Sequence, residues 1–205
     1  MLKRRVAIYG GSFDPVHDGH LALARELVGL FAFDELHFVP AHHAPHKRSS
    51  RPTSAWHRFA MLALATQTDA ALKVSTVELE APERPYTVET IARLRTELGG
   101  GGVRLFFVMG ADSWAEITTW REWERLLAMT NHIVVTRPGY EPETRGAPNI
   151  FFTDAVMNDV SATKIRRLAR EGRYDELTGL LPGPVLEYIR KYKIYRELNE
   201  AKLNS

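Results

Sequence analysis

The chain of 205 residues contains no cysteine. That excludes a disulfide framework, a thiolate zinc site, an iron–sulfur cluster and a cysteine nucleophile. It also fits a reducing compartment, so a cytoplasmic protein is expected. No apolar run approaches the ~18 residues that a membrane helix needs, so no membrane partner is expected. The basic start Met1–Arg5 runs into a short strand-like stretch broken by Gly10-Gly11, not into a signal-peptide core and cleavage site. Glycine (14) and proline (11) are not in excess, which argues against a collagen-like or disordered chain. Charge of one sign is lacking as well. With 27 basic and 25 acidic residues the net charge is +2, too balanced to imply nucleic acid by itself. What the chain does have is 8 histidines. Five of them lie from His37 to His57, and His17 and His20 form a pair.

Strand-like and helix-like segments alternate. Val6–Tyr9 is a short apolar run, and Leu21, Ala24, Leu27, Val28 and Phe31 then recur at helical spacing. Leu36–Val39 reads as a strand stopped by Pro40, and residues 40–52 as a basic, proline-rich loop. A helix is expected over Thr53–Thr68, with Phe59, Leu62, Ala63 and Thr66 on one face, and a strand over Val74–Leu79. Thr87 can cap a helix to Leu98. Val103–Met109 is a strongly apolar strand, and Trp114–Met129 reads as one helix. Strands follow at His132–Thr136 and Ile150–Thr153. Ser161 can cap a helix to Arg170, and helices are expected at Tyr174–Leu181 and Pro184–Leu198. The alternation predicts an α/β fold, Rossmann-like and doubly wound, with a mainly parallel sheet, helices on both faces and a small C-terminal helical segment. A single domain over residues 1–205 is the simpler expectation, its helices from about residue 161 packed on the sheet. Ligands of such folds bind at the C-terminal ends of the strands.

The loop after the first strand reads Gly10-Gly11-Ser12-Phe13-Asp14-Pro15-Val16-His17-Asp18-Gly19-His20. It is neither a Walker A loop nor G-x-G-x-x-G. It still has the parts of a phosphate site. Two glycines allow close approach to the backbone, and a helix start aims free N–H groups at the loop. Two imidazoles there can donate hydrogen bonds to charge that builds on a phosphorus. The bland alternative is a pair of polar surface histidines.

This stretch resembles the signature of the nucleotidyltransferase superfamily with the His-x-Gly-His motif, most closely the nicotinate-nucleotide adenylyltransferase family. The resemblance runs from Val6 to about Tyr195. Val39-Pro40 with Pro45-His46-Lys47 is similar to the family's loop after the second strand. Glu83-Arg84-Pro85-Tyr86-Thr87 resembles its Arg-Pro-Ser-Tyr-Thr turn, without the serine. Gly110-Ala111-Asp112 resembles its Gly-Ala-Asp, Arg137-Pro138-Gly139 its Arg-Pro-Gly, and Val160-Ser161-Ala162-Thr163-Lys164-Ile165-Arg166 the superfamily's Ile-Ser-Ser-Thr-x-Ile-Arg.

The resemblance implies adenylyl transfer from ATP to nicotinate mononucleotide. His17, His20, Lys47 and Arg166 would be catalytic. Gly10, Gly11, Ser12, Phe13, Gly19, Gly110, Asp112, Ser161 and Thr163 would bind ATP. His46, Tyr86, Thr87, Trp120 and Arg137 would bind the mononucleotide, with Trp120 stacking on the nicotinate ring and Trp123 packing in the core. Mg²⁺ would travel with the ATP phosphates, with no dedicated protein cage. Metal binding by His42, His43 and His46 is a rival reading, and a solvated loop is the bland one. Asp112 and Thr87 can also be read as helix caps. Pantetheine-phosphate adenylyltransferase is the nearest rival within the superfamily, though it typically has Thr where this chain has His17. A non-catalytic nucleotide-binding or nucleic-acid-binding protein is the rival from another class. A homo-oligomer is left open.

Overall fold

Strands with no polar face must be covered on both sides, and that requirement sets the architecture. In β1 (Arg4–Gly11) Ala7 points into one apolar cluster while Val6 and Ile8 point into another. In β4 (Val103–Gly110) Phe106 and Val108 face the first cluster, and Leu105, Phe107 and Met109 the second. This is the two-residue period of a strand buried on both faces. The computed structural model describes residues 3–42, 53–136, 149–154 and 160–196.

With β2 (Glu35–Pro40), β3 (Leu72–Val74), β5 (Asn131–Val135) and β6 (Ile150–Thr153), these strands form one sheet in the order β3-β2-β1-β4-β5-β6. Every pairing is parallel. The chain order reverses between β1 and β4, so a crevice opens there at the C-terminal ends of the strands. The helices α1 (Asp18–Leu30), α2 (Ala55–Thr66), α6 (Ala162–Arg170) and α7 (Gly183–Tyr192) cover the first face. The helices α3 (Thr87–Glu97), α4 (Ala111–Ala115) and α5 (Trp123–Met129) cover the second. Side chains such as Leu27, Leu62, Ile91 and Ile165 are wholly buried. Each contributes about 1.5–3 kcal/mol of hydrophobic stabilisation. The expected doubly wound fold is present, and its sheet is parallel throughout.

Several local expectations are corrected. Val74–Leu79 is not a strand. β3 stops at Val74, and Ser75 turns the chain by accepting the Val77 N–H. The buried face of α2 is Arg58, Met61, Leu62, Ala65 and Thr66, one position away from the expected Phe59 and Ala63. The expected Trp114–Met129 helix is broken. A short 3-10 turn at Ile117–Thr119 ends with Trp120 extended, and Glu122 takes a left-handed φ of 50° before α5. The expected Tyr174–Leu181 helix is a 3-10 turn over Tyr174–Leu177, since Gly179 at φ 79° reverses the chain. The last described helix ends at Tyr192 because Lys193 is left-handed.

Candidate active site

β1 delivers Gly10 and Gly11 to the crevice and then turns sharply. A Cβ on Gly11 would stand 2.8 Å from the Phe13 ring, so this position has room for glycine alone. Phe13 itself is left-handed, with φ 46°. A non-glycine residue in that region costs on the order of 1–3 kcal/mol and needs its surroundings to hold it. Its buried ring meets Tyr9, His20 and Phe38 edge-on, with centroids 5.1–5.3 Å apart.

The loop ends at His17, the N-cap of α1. His17 and His20 stack with ring centroids 3.7 Å apart. The His17 backbone N–H donates to His20 Nδ1 at 3.3 Å. A neutral ring that accepts at Nδ1 carries its proton on Nε2, so His20 has one N–H left to give. Burial lowers the His17 pKa to about 4, and burial with the neighbouring His17 charge lowers that of His20 to about 3. Both rings are therefore neutral at pH 7. His17 Nδ1 is buried with no hydrogen-bond partner among the described residues. An orphaned buried polar atom of this kind is expensive unless a ligand or water meets it.

α6 approaches the same loop. Ser161 is its N-cap, and Thr163 lies in its first turn. Arg166 donates to the Asp14 carbonyl at 2.6 Å and to Thr163 Oγ1 at 3.2 Å. The structure thus gathers His17, His20, Thr163 and Arg166 around one turn of backbone.

A cavity of about 770 Å³ opens beside this turn, at the C-terminal ends of β1 and β4. Gly10, Gly11, Ser12 and Gly110 form its floor, and Tyr86, Thr87 and Trp120 its walls. The break after Ile117–Thr119 is what brings the Trp120 ring in, against Phe107 at 6.3 Å. Tyr86 is half exposed and caps α3, one residue before the expected Thr87, because Glu89 accepts its backbone N–H at 2.8 Å. Arg121 stands 4.6 Å over the Tyr86 ring. Glu78 also lines the cavity, accepting the Thr90 hydroxyl at 2.9 Å and the His42 N–H at 3.1 Å. Burial pushes its carboxyl up from the ordinary value.

The remaining expected residues divide into four groups. Asp112 is exposed in the first turn of α4 and does not line the cavity. Gly19 is buried in α1. His43, His46, Lys47 and Arg137 lie outside the described residues. Trp123 is half-buried and stands outside both apolar clusters; the core tryptophan on this face is Trp114.

Sequence reasoning missed Asp14, Arg58, Glu78 and Tyr195. One signal pointed to Arg58, a charge on the apolar stripe of an amphipathic helix. Its guanidinium is 1% exposed and donates to the carbonyls of Ser12, Ala41 and Thr53.

Two stacked neutral imidazoles at a helix start, with Arg166 bonded to the same loop and a partly aromatic cavity beside it, bring hydrogen-bond donors suited to phosphate next to surface suited to a flat ring. A family model described as cytidylyltransferase-like matches residues 8–168. A protein of Solibacter usitatus, named a probable nicotinate-nucleotide adenylyltransferase, is 39% identical over 191 residues, covering 93% of this chain and 99% of that one. A Thermoanaerobacter sp. protein of the same name is 36% identical over 206 residues, covering 96% of each. The fold matches that of Plasmodium falciparum nicotinic acid mononucleotide adenylyltransferase complexed with NaAD, with TM-score 0.76, 20% identity and coverage of 94% and 97%. With the His-x-Gly-His pair at the sheet's switch point and relatives that match it over 93% and 96% of its length, this chain belongs to the nicotinate-nucleotide adenylyltransferase family.

Proposed function

We propose that this protein transfers the adenylyl group of ATP to nicotinate mononucleotide, giving nicotinic acid adenine dinucleotide and pyrophosphate. The observation that carries the chemistry is the buried His17–His20 pair, with its orphaned Nδ1, at the start of α1. The mononucleotide's 5′-phosphate oxygen attacks the α-phosphorus of ATP in line. The bond from that phosphorus to the bridging oxygen breaks, and pyrophosphate leaves with the electron pair. No covalent intermediate on the protein is needed. Catalysis is positioning plus stabilisation of charge on the phosphoryl oxygens.

Each side chain has a role in this reading. His20 gives its Nε2–H to a non-bridging oxygen of the α-phosphate, a bond that strengthens as charge builds. His17 meets the same phosphates. Arg166, Thr163 and the N–H groups at the start of α6 hold the β- and γ-phosphates. Lys47 adds a positive charge to the phosphates. The cavity takes the mononucleotide, with Trp120 stacked on the pyridine ring and Tyr86 and Thr87 at its edge. His46 and Arg137 bind the mononucleotide as well. Mg²⁺ enters on the ATP phosphates as part of the substrate, as suits a hard ion that keeps most of its waters. There it offsets the charge between phosphate oxygens. The enzyme works in the cytoplasm, which a cysteine-free chain fits. Among the described residues no helix is long and apolar enough to cross a membrane.

The test is pyrophosphate release with ATP and Mg²⁺, run in parallel with nicotinate mononucleotide, nicotinamide mononucleotide and phosphopantetheine. Release is expected with the nicotinate substrate and is lost in His20→Ala protein. Release only with phosphopantetheine would move the reaction to the sister family. No release with any acceptor would end the catalytic reading.

A further inference from the structure

The Phe13 turn is held from both sides by residues far away in sequence. On one side Arg58 Nη1 donates to the Ser12 carbonyl at 2.6 Å. On the other, the Tyr195 hydroxyl donates to Asp14 Oδ1 at 2.7 Å, across 181 residues of chain. Between them lies Phe13, left-handed and not glycine. A residue persists in that conformation only where its neighbours over-determine it. Here the neighbours on both sides are tied.

Neither tie is an accident of packing. The rest of the buried face of α2 is Met61, Leu62, Ala65 and Thr66, so an arginine there is the exception. It forms no ion pair among the described residues and spends its N–H groups on carbonyls from three segments. A buried guanidinium so arranged costs desolvation for which an apolar residue would have no need. Tyr195 is reached only because Lys193 and Tyr195 itself take φ of 53° and 73° after α7, folding the chain back onto the loop. The Phe13 ring, set by this turn, lies 5.1 Å from the His20 ring.

We infer that Tyr195 and Arg58 are positioning residues for the transfer, holding Asp14 and Ser12 on either side of Phe13 and so seating the Phe13 ring against His20. The inference rests on the function proposed above and extends the site to the C-terminal turn and to α2. Neither residue touches substrate in this arrangement. They act through the loop.

Tyr195→Phe tests it with the least disturbance, since it removes one oxygen and keeps the ring. Hydrogen bonds to charged groups contribute enough that loss of this one lowers kcat about tenfold. The KM for nicotinate mononucleotide stays unchanged, because the aromatic walls of the cavity are on other elements. The His20 ring proton resonance, assigned with His20→Asn, shifts in Tyr195→Phe, while that of His132 stays. Arg58→Lys keeps the charge but not the three-way geometry, and gives a larger fall in kcat with the same shift of the His20 resonance; its KM rises too, because Ser12 and Ala41, which Arg58 holds, line the cavity. If Arg58→Lys does not fold, Tyr195→Phe decides alone. Wild-type kcat in Tyr195→Phe would overturn the inference. So would a slower variant whose His20 resonance has not moved, because that marks a general structural loss. If the wild-type protein releases no pyrophosphate, the proposed function fails, and the His20 resonance still decides whether the tie exists.

Discussion

The two halves of the crevice are built by opposite means. The turn that runs from Ser12 into α1 is held by backbone carbonyls, a buried arginine and a tyrosine hydroxyl, and its histidines are stacked and desolvated. The cavity beside it has aromatic walls on short, interrupted elements. Tyr86 is half exposed, and Trp120 follows a three-residue turn. The first half is cross-tied by hydrogen bonds from three other parts of the chain. The second offers surface more than fixed bonds. The lesson is a division of labour. Donors that act on a developing charge must be in place before it develops, because reorganisation at that moment would forfeit the gain. A ring that only stacks on a substrate can tolerate an adaptable wall.

The sharpest way to break the comparison is at His20. His20→Ala removes one oriented N–H from the transition state, and kcat is expected to fall by about 100–1000-fold. Both KM values should change far less, since the bond matters most when charge is greatest. Thermal denaturation of the same protein checks that the fold is intact. Equal losses in kcat and in stability would make His20 a structural residue and erase the contrast between the halves.

A second effect follows from burial on the cross-tied side alone. The folded-state pKa values of His17 and His20 lie at about 4 and about 3, below the ordinary 6.5. The unfolded chain therefore takes up protons first as pH falls. Stability is complete above pH 6.5 and drops as pH falls from 6.5 toward 4. For His17, a shift of this size amounts to about 3 kcal/mol. The buried His132, at about 4, adds a slope of the same sign from the core. Urea midpoints between pH 7.5 and 4.5 should show this loss, and His17→Asn should remove the His17 share while leaving that of His132. An unchanged slope in His17→Asn would mean that the ring is not desolvated and that this half of the site is not preformed.

How much of this was legible beforehand depends on the range over which each feature is set. Strand periodicity and the His-x-Gly-His spacing are local, and both are visible in the chain. The turn from Gly10 to His20 was legible as a set of glycines and imidazoles for the same reason. The helix break before Trp120 was not, because Thr118, Thr119 and Glu122 do not rule out a helix by type; the left-handed Glu122 and the extended Trp120 become favourable only against the packed sheet. Trp120 was nevertheless picked out by the family resemblance, and the break is what puts it in the cavity. Arg58 could have been noticed as a charge in an apolar stripe. Tyr195 could not, since its hydrogen bond to Asp14 spans nearly the whole chain. Glu78 was hidden by reading Val74–Leu79 as a strand, in which its neighbours look like ordinary alternation.

The smallest effect belongs to the adaptable wall. Trp120 packs its ring edge-on against Phe107 and turns its remaining surface to the cavity. Stacking of this type contributes about 0.5–1.5 kcal/mol beyond area burial. Trp120→Ala should therefore raise the KM for nicotinate mononucleotide by about tenfold, with the KM for ATP nearly unchanged. kcat should change little, because stacking on the pyridine ring is equally strong in ground and transition states. Stability should fall modestly, since Trp114, not Trp120, fills the core on this face. The pH slope of stability should stay that of the wild type, for no histidine lines this wall. Equal rises in both KM values would make Trp120 a brace for the whole crevice, and the two halves would then be one mechanical unit rather than two.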